Sequence, residues 1–286
     1  MIRPLVSLIG ATALACGVAH AEEQDRFAAV QIKTHHVSGV VHMLEGAGGN
    51  IGVSVGDDGT LIVDDQFAEL AGRIQDALEA LGGDRPRIIL NTHFHFDHTG
   101  SSPEFGRTGT IIAHDNVRAR LLTTPDFAAS GLPLVTYADG VTIHFNGDTL
   151  KLMHLPSGHT DGDSVVWWLK ANVVHMGDHF FNGRFPFVDV ASGGNVDGFI
   201  ANMEKVLSMV PEDARIIPGH GPLADTEDLK ANIETLKVTV ARIRAGLAQG
   251  QAVEAVAASL NADYAVWGSG FINAERWVRI VEASPQ

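Results

Sequence analysis

The chain has 286 residues, of which 45% are hydrophobic and 19% charged, enough apolar material for a full core and too much for a disordered chain. Its 34 Asp and Glu outweigh 20 Lys and Arg, giving a formal charge of −14, and no basic run interrupts the sequence. That balance argues against a surface that tracks nucleic-acid phosphates or binds an anionic membrane, and favours a small-molecule partner.

At the N-terminus, Arg3 supplies a short positive region, residues 5–18 an apolar stretch, and Ala19-His20-Ala21 a small-x-small cleavage site before Glu22-Glu23-Gln24-Asp25. This is the pattern of an export signal over residues 1–21, and its apolar stretch falls short of the roughly 20 residues a membrane span needs. The mature protein is therefore expected to start at Glu22, periplasmic or secreted, with no membrane anchor. Cys16 is the only cysteine and would leave with the signal, so no disulfide, thiolate ligand or cysteine nucleophile is expected.

Short β-like runs follow at residues 37–44 and 51–55, and the turn Gly56-Asp57-Asp58-Gly59-Thr60 joins the latter to 61–63 as a hairpin. Phe67, Leu70, Ile74, Ala77, Leu78 and Leu81 recur at three- and four-residue intervals, which predicts an amphipathic helix over 67–81, closed by Gly82-Gly83. A strand at 88–91 then delivers the run His93-Phe94-His95-Phe96-Asp97-His98. Further on, a strand at 150–155 leads to His159, a hairpin of 164–169 with 173–176 ends at Gly177-Asp178, and a helix at 196–210 precedes a strand at 215–217 that leads to His220. Every candidate ligand thus sits just beyond a strand, where packed sheets can converge their ends on one edge.

Imidazole and carboxylate together suit zinc, iron or manganese better than calcium or magnesium, which prefer oxygen shells. The remaining histidines, His20, His35, His36, His42, His114, His144, His154 and His175, are assigned to surface or core, with His179 left open. Past His220, helices at 229–248 and 252–260 and the aromatics Tyr264, Trp267, Phe271 and Trp277 form an extension. It is expected to pack on the outer sheet or make a dimer contact, a lid being the sharper reading; the oligomeric state stays open.

These residues carry a resemblance to the metallo-β-lactamase-fold hydrolases, whose signature is His-x-His-x-Asp-His followed at long range by His, by Asp or Cys, and by His. The resemblance implies an α/β fold, an αβ/βα four-layer sandwich over residues 22–225, with 226–286 as a helical C-terminal extension on the same domain. It implies two zinc ions per chain, iron or manganese being possible. His93, His95 and His159 would hold one and Asp97, His98 and His220 the other, with Asp178 bridging them or favouring the second. Asp64 or Asp65 matches an acidic position that supports the ligands from behind. The implied chemistry is attack on a carbonyl by a hydroxide shared between metals about 3.5–4 Å apart, with Asp97 orienting it and relaying a proton to the leaving group.

The run from His159 to Trp167 and the spacing to Asp178 resemble the β-lactam-hydrolysing members that carry Cys where Asp178 stands. In that likeness Arg184 would hold a substrate carboxylate and Asn195 would polarise a carbonyl. Read on their own, Arg184 suits stacking or capping and Asn195 a turn, while Phe180 to Phe187 suits a wall beside the cleft. Asp178 with His98 instead matches glyoxalase-II-like thioesterases and lactonases. The leading expectation is β-lactam hydrolysis. The alternatives are thioester or lactone hydrolysis, and a mononuclear iron reaction like that of persulfide dioxygenases on His93, His159 and Asp178.

Overall fold

Strands covered on both faces need apolar side chains at consecutive positions, and this chain supplies them in runs such as 61–63, 88–90 and 165–168. The computed structural model describes residues 27–285, so the expected export signal and Cys16 lie outside the described residues. The chain divides into two units, Met1–Gln31 and Ile32–Gln286, and every element named below belongs to the second.

One sheet runs in the order β1 (Lys33–Ser38), β2 (Val41–Glu45), β3 (Ile51–Gly56), β4 (Gly59–Val63), β5 (Ile88–Leu90), β6 (Thr110–His114), β7 (Val135–Tyr137). It is antiparallel from β1 to β4 and parallel from β4 to β7. The other contains β8 (Gly140–Phe145), β9 (Asp148–His154), β10 (Ser164–Trp168), β11 (Val173–His175), β12 (Arg215–Ile217) and β13 (Ala224–Asp225), paired in sequence order. Only β11 and β12 are parallel there.

Successive strand residues point to opposite faces, and the two cores separate on that rule. Val166, Val173 and Ile217 meet Met43, Leu61, Val63 and Leu90 between the sheets. Their neighbours Val165, Val174 and Ile216 face outward into a second core with α5 (Val196–Met209), α6 (Thr226–Ala248), α7 (Val253–Tyr264) and α8 (Ala274–Ala283). On the first sheet's outer face, α4 (Asp115–Thr123) lays Val117 and Leu121 against Ala113 of β6. The result is the expected mixed α/β sandwich with helices outside two sheets. No helix among the described residues is long and apolar enough to cross a membrane.

Two expectations are corrected. The run at 37–44 is a hairpin, not one strand: Gly39 takes φ 55° between β1 and β2, and Ser38 pairs with Val41. The helix expected over 67–81 is a 3-10 turn at Ala68–Leu70 followed by α1 (Ala71–Ala80), with Leu70, Ile74 and Leu78 buried.

Candidate metal centre

Five loops meet at one edge of the two sheets. They follow β4, β5, β9, β11 and β12, and each brings a polar side chain into a buried cluster. The loop after β5 continues into α2 (Phe96–Thr99), whose first turn carries Asp97 and whose last carries His98.

Asp64, directly after β4, takes φ 64°, unusual for a side chain with a Cβ, and this turns its carboxylate back under the β5 loop. There it accepts from the Thr92 backbone N–H at 2.8 Å, from Thr92 Oγ1 at 2.8 Å and from His98 Nδ1 at 2.7 Å. Asp65 instead holds Ser101 and Ser102, so Asp64 is the acid that supports a ligand.

Carboxylates and carbonyls only accept, so these contacts fix the imidazole tautomers. His98 donates from Nδ1 to Asp64, and His159 donates from Nδ1 to the Phe187 carbonyl at 2.7 Å. His95 donates from Nε2 to Asp189 at 3.1 Å. Thr92 spends its proton on Asp64, so its oxygen accepts from His93 Nδ1 at 3.0 Å. The free nitrogens all turn inward. His159 Nε2 and His95 Nδ1 face each other at 2.9 Å, two lone pairs that a shared cation would satisfy.

Asp178 joins the halves of the cluster. Its Oδ2 lies 3.8 Å from His93 Nε2 and 3.5 Å from His159 Nε2, and its Oδ1 lies 3.0 Å from His98 Nε2 and 3.3 Å from His220 Nε2. Asp97 Oδ2 approaches His220 Nε2 at 3.3 Å. Two groups of ligand atoms result, each within 4.8 Å: His93, His95, His159 and Asp178 in one, Asp97, His98 and His220 in the other. His93 Nε2 is buried with no hydrogen-bond partner among the described residues, as a metal-ligand atom would be. The donor set fits a pair of metal ions.

The protonation preferences agree with that fit. Burial pushes the His93 imidazole well below its ordinary pKa, with the charge of His98 adding, and takes His159 down to about 4. Both are held in the neutral, ligating form. Burial opposes charge on His98 and His220 as well, yet Asp178 and Asp97 outweigh it, raising His98 well above the usual range and His220 to about 9. Asp178 is conversely held well below the carboxylate range by His98 and His220, against the effect of its burial. Carboxylates that retain protons on these imidazoles would retain a divalent cation in their place.

Close approach of backbones makes this density possible. A Cβ at Gly219 would overlap Asp178 Oδ1, and Gly177, at φ 51°, passes the Thr92 side chain where a Cβ would meet Oγ1 at 2.6 Å. Asn50 ties the edge together, donating from Nδ2 to the carbonyls of Pro218 and Gly221 at 2.9 Å each.

Of the expected substrate contacts, Arg184 lies with Glu45, Asn50, His220 and Gly221 around a cleft of about 260 Å³. Its guanidinium has no partner among the described residues. Asn195 lies outside that lining and serves the local fold: its Oδ1 caps α5 by accepting from the Gly198 N–H at 2.8 Å, and one N–H of its Nδ2 donates to the Pro285 carbonyl at 2.9 Å. These contacts support the turn reading over a substrate role, although the second N–H of the amide remains to donate. His175 and His179 are core residues, the first bonded to the Asn50 carbonyl and the second stacked on Phe199 and bonded to Asn202. Phe181 stacks on His220 at 5.1 Å, and Phe187 lies 5.8 and 5.9 Å from His95 and His159, so these two stand beside the cluster while Phe180 and Phe185 are buried in the outer core. Sequence reasoning missed Asp189 and Thr92, which orient His95 and His93; neither carries a spacing signal, because each works through one fold-dependent contact.

Residues 44–220 match the model of the metallo-beta-lactamase superfamily. A type 2 metallo-beta-lactamase of Bacteroides fragilis is 25% identical over 59% of this chain and 65% of its own length. An acyl-coenzyme A thioesterase of Homo sapiens is 23% identical over 48% of this chain and 56% of its own. The chain thus spans less than two thirds of the length of either. Among solved structures, a metallo-beta-lactamase from Pontibacter korlensis superposes with a TM-score of 0.64 at 16% identity, over 72% of this chain and 99% of that one.

Proposed function

The chain belongs to the metallo-beta-lactamase superfamily of hydrolases, and on that premise we propose that it hydrolyses small carbonyl compounds of the thioester or lactone kind at a dinuclear centre, carrying zinc in the first instance. The observation that carries the reading is the Asp178 carboxylate, with one oxygen facing each ligand group. A carboxylate in this position makes a harder site than a thiolate would, and supports the hydrolases of thioesters and lactones over the β-lactam enzymes. The complete second group, Asp97, His98 and His220, favours two metals over the single iron of an oxygenase.

Metal ions held by these residues supply Lewis acidity and lower the pKa of water toward about 7. The chain's own groups do the rest. Asp64 and Asp189 fix His98 and His95, so the centre needs little rearrangement as charge develops. The Asp97 carboxylate is kept ionised: burial works against the charge, but His98 and His220 outweigh it. With 27% of its side chain exposed, it is open to solvent and serves as the group that takes a proton from attacking water. Water oxygen bonds to the carbonyl carbon, the carbon–sulfur or carbon–oxygen bond breaks, and Asp97 returns the proton to the departing thiolate or alkoxide. Arg184 meets an anionic group of the substrate, and Phe181 and Phe187 keep bulk water from the ligand imidazoles.

A second reading, β-lactam opening, is favoured by the free Arg184 guanidinium, which suits a bidentate carboxylate. Asn195, tied to the α5 cap, adds little to it. Steady-state kcat/KM of the zinc-loaded protein on a thioester, a lactone, a penicillin and a carbapenem separates the readings. Fast thioester or lactone turnover that falls at least about 100-fold in Asp97→Asn at unchanged metal content is expected. Selective β-lactam turnover would transfer the assignment to the second reading, and turnover of none would refute both.

A further inference from the structure

The segment 265–273 joins α7 to α8 and leaves Phe271 71% exposed. Phe271 is nevertheless held in place. Its ring meets Phe187 edge-on at 6.3 Å and 86°, the Arg276 guanidinium lies 4.3 Å over it, and Arg276 Nη1 donates to the Phe271 carbonyl at 2.8 Å. The next residue, Ile272, is buried in the outer core with Trp277, so the backbone that carries Phe271 is anchored.

Phe187 continues this surface inward. Its ring is 5.8 Å from His95 and 5.9 Å from His159, and its carbonyl fixes the His159 tautomer. An aromatic path therefore leads from the ligand imidazoles through Phe187 to Phe271 at the surface. The same loop supports Arg184: the Phe185 N–H donates to the Trp267 carbonyl at 3.0 Å, and a Cβ at Gly270 would touch the Arg184 stem at 3.7–3.8 Å. The cation in the cleft, without a partner among the described residues, and the fixed apolar side chain are thus tied to one loop.

We propose that Phe271, carried by the C-terminal extension, and Phe187 form a subsite for the apolar acyl chain of the substrate, while Arg184 takes an anion on the leaving-group side. The inference rests on the carbonyl-hydrolase reading above and assigns its substrate class: a straight-chain acyl thioester whose thiol portion carries a carboxylate. A rigid aromatic surface already in place gains from each methylene it covers without paying to order itself. Full burial of a methylene contributes about fourfold, so a half-open lip is expected to give about twofold per carbon.

The test is kcat/KM of the zinc-loaded full chain on S-acetyl, S-butyryl, S-hexanoyl and S-octanoyl mercaptoacetate, in wild type, Phe271→Ala and Phe271→Leu, together with octanoate titration read by tryptophan fluorescence. Where the thioesters turn over, the slope of log(kcat/KM) against chain length decides. The expected result is a rise of about twofold per methylene carried by KM, flattened in Phe271→Ala and restored in large part in Phe271→Leu, with the loss smallest for S-acetyl and growing with chain length. A flat wild-type slope, or the same slope in Phe271→Ala, would overturn the subsite while leaving the hydrolase reading intact. Where wild type hydrolyses no thioester, the functional reading fails and the titration decides: octanoate quenching that acetate does not give, weakened at least fivefold in Phe271→Ala, supports the subsite, and no difference between the two acids overturns it.

Discussion

At the residue scale the centre depends on groups that touch no substrate. Asp64 accepts three hydrogen bonds and thereby sets His98 and, through Thr92, His93. Asp64→Asn loses the charge and one acceptor, so zinc affinity measured by chelator competition is expected to fall about 10- to 100-fold with the fold retained. Asp163 gives a pH-dependent counterpart. It is buried and accepts from the Thr160 N–H and hydroxyl, yet burial outweighs these bonds and raises its pKa from the usual carboxylate value to about 7. The folded state therefore prefers the neutral acid. Its contribution to stability is fully present below about pH 4 and lost as pH rises through about 7. The Tm of Asp163→Asn minus that of the zinc-loaded wild type is expected to increase from pH 5 to pH 8, and a difference that shrinks over that window would contradict the burial argument. The cluster itself was legible in the sequence, because His93 to His98 is too dense a run to serve packing and His159, Asp178 and His220 each follow a strand. Asp189, Thr92 and Asp163 were not, since each acts through one contact that only the folded chain creates.

At the scale of elements, short strands with apolar neighbours were readable wherever both faces are covered, as in β3, β4, β10 and β11. The segment from β6 to β8 gave no clear signal. In β8, exposed and half-buried residues alternate along much of the strand, and β7 has only three residues, two of them exposed. Helix α8 escaped notice although its Trp277 and Val278 are buried, because the helix is short and begins directly after the aromatic loop. The N-terminus of α5 favours one of two readings of Asn195. It offers its side-chain oxygen to the Gly198 N–H, a local role in keeping with the turn that its sequence neighbours suggest. Asn195→Ala is expected to cost about 1 kcal/mol of stability in denaturant unfolding, as loss of a helix cap does, and to change kcat/KM by less than about twofold. A large loss of kcat with unchanged stability would return Asn195 to the substrate.

At the scale of the molecule, two sheets pack face to face through Met43, Leu61, Val166 and Trp168, and this core aligns the strand ends whose loops carry the ligands. No single loop contains a complete site. His93 and His95 follow β5 in the first sheet, while His159, Asp178 and His220 follow β9, β11 and β12 in the second, so the centre exists only when both sheets are in register. Asp178 is the residue in which the two ligand groups meet, and its place between four imidazoles makes the cluster one centre instead of two. The most direct test is the metal content per chain after equilibration with zinc and gel filtration, in wild type and Asp178→Ala. The account predicts two ions in the wild type and one or none in the variant. One ion in the wild type, or two retained by Asp178→Ala, would contradict it.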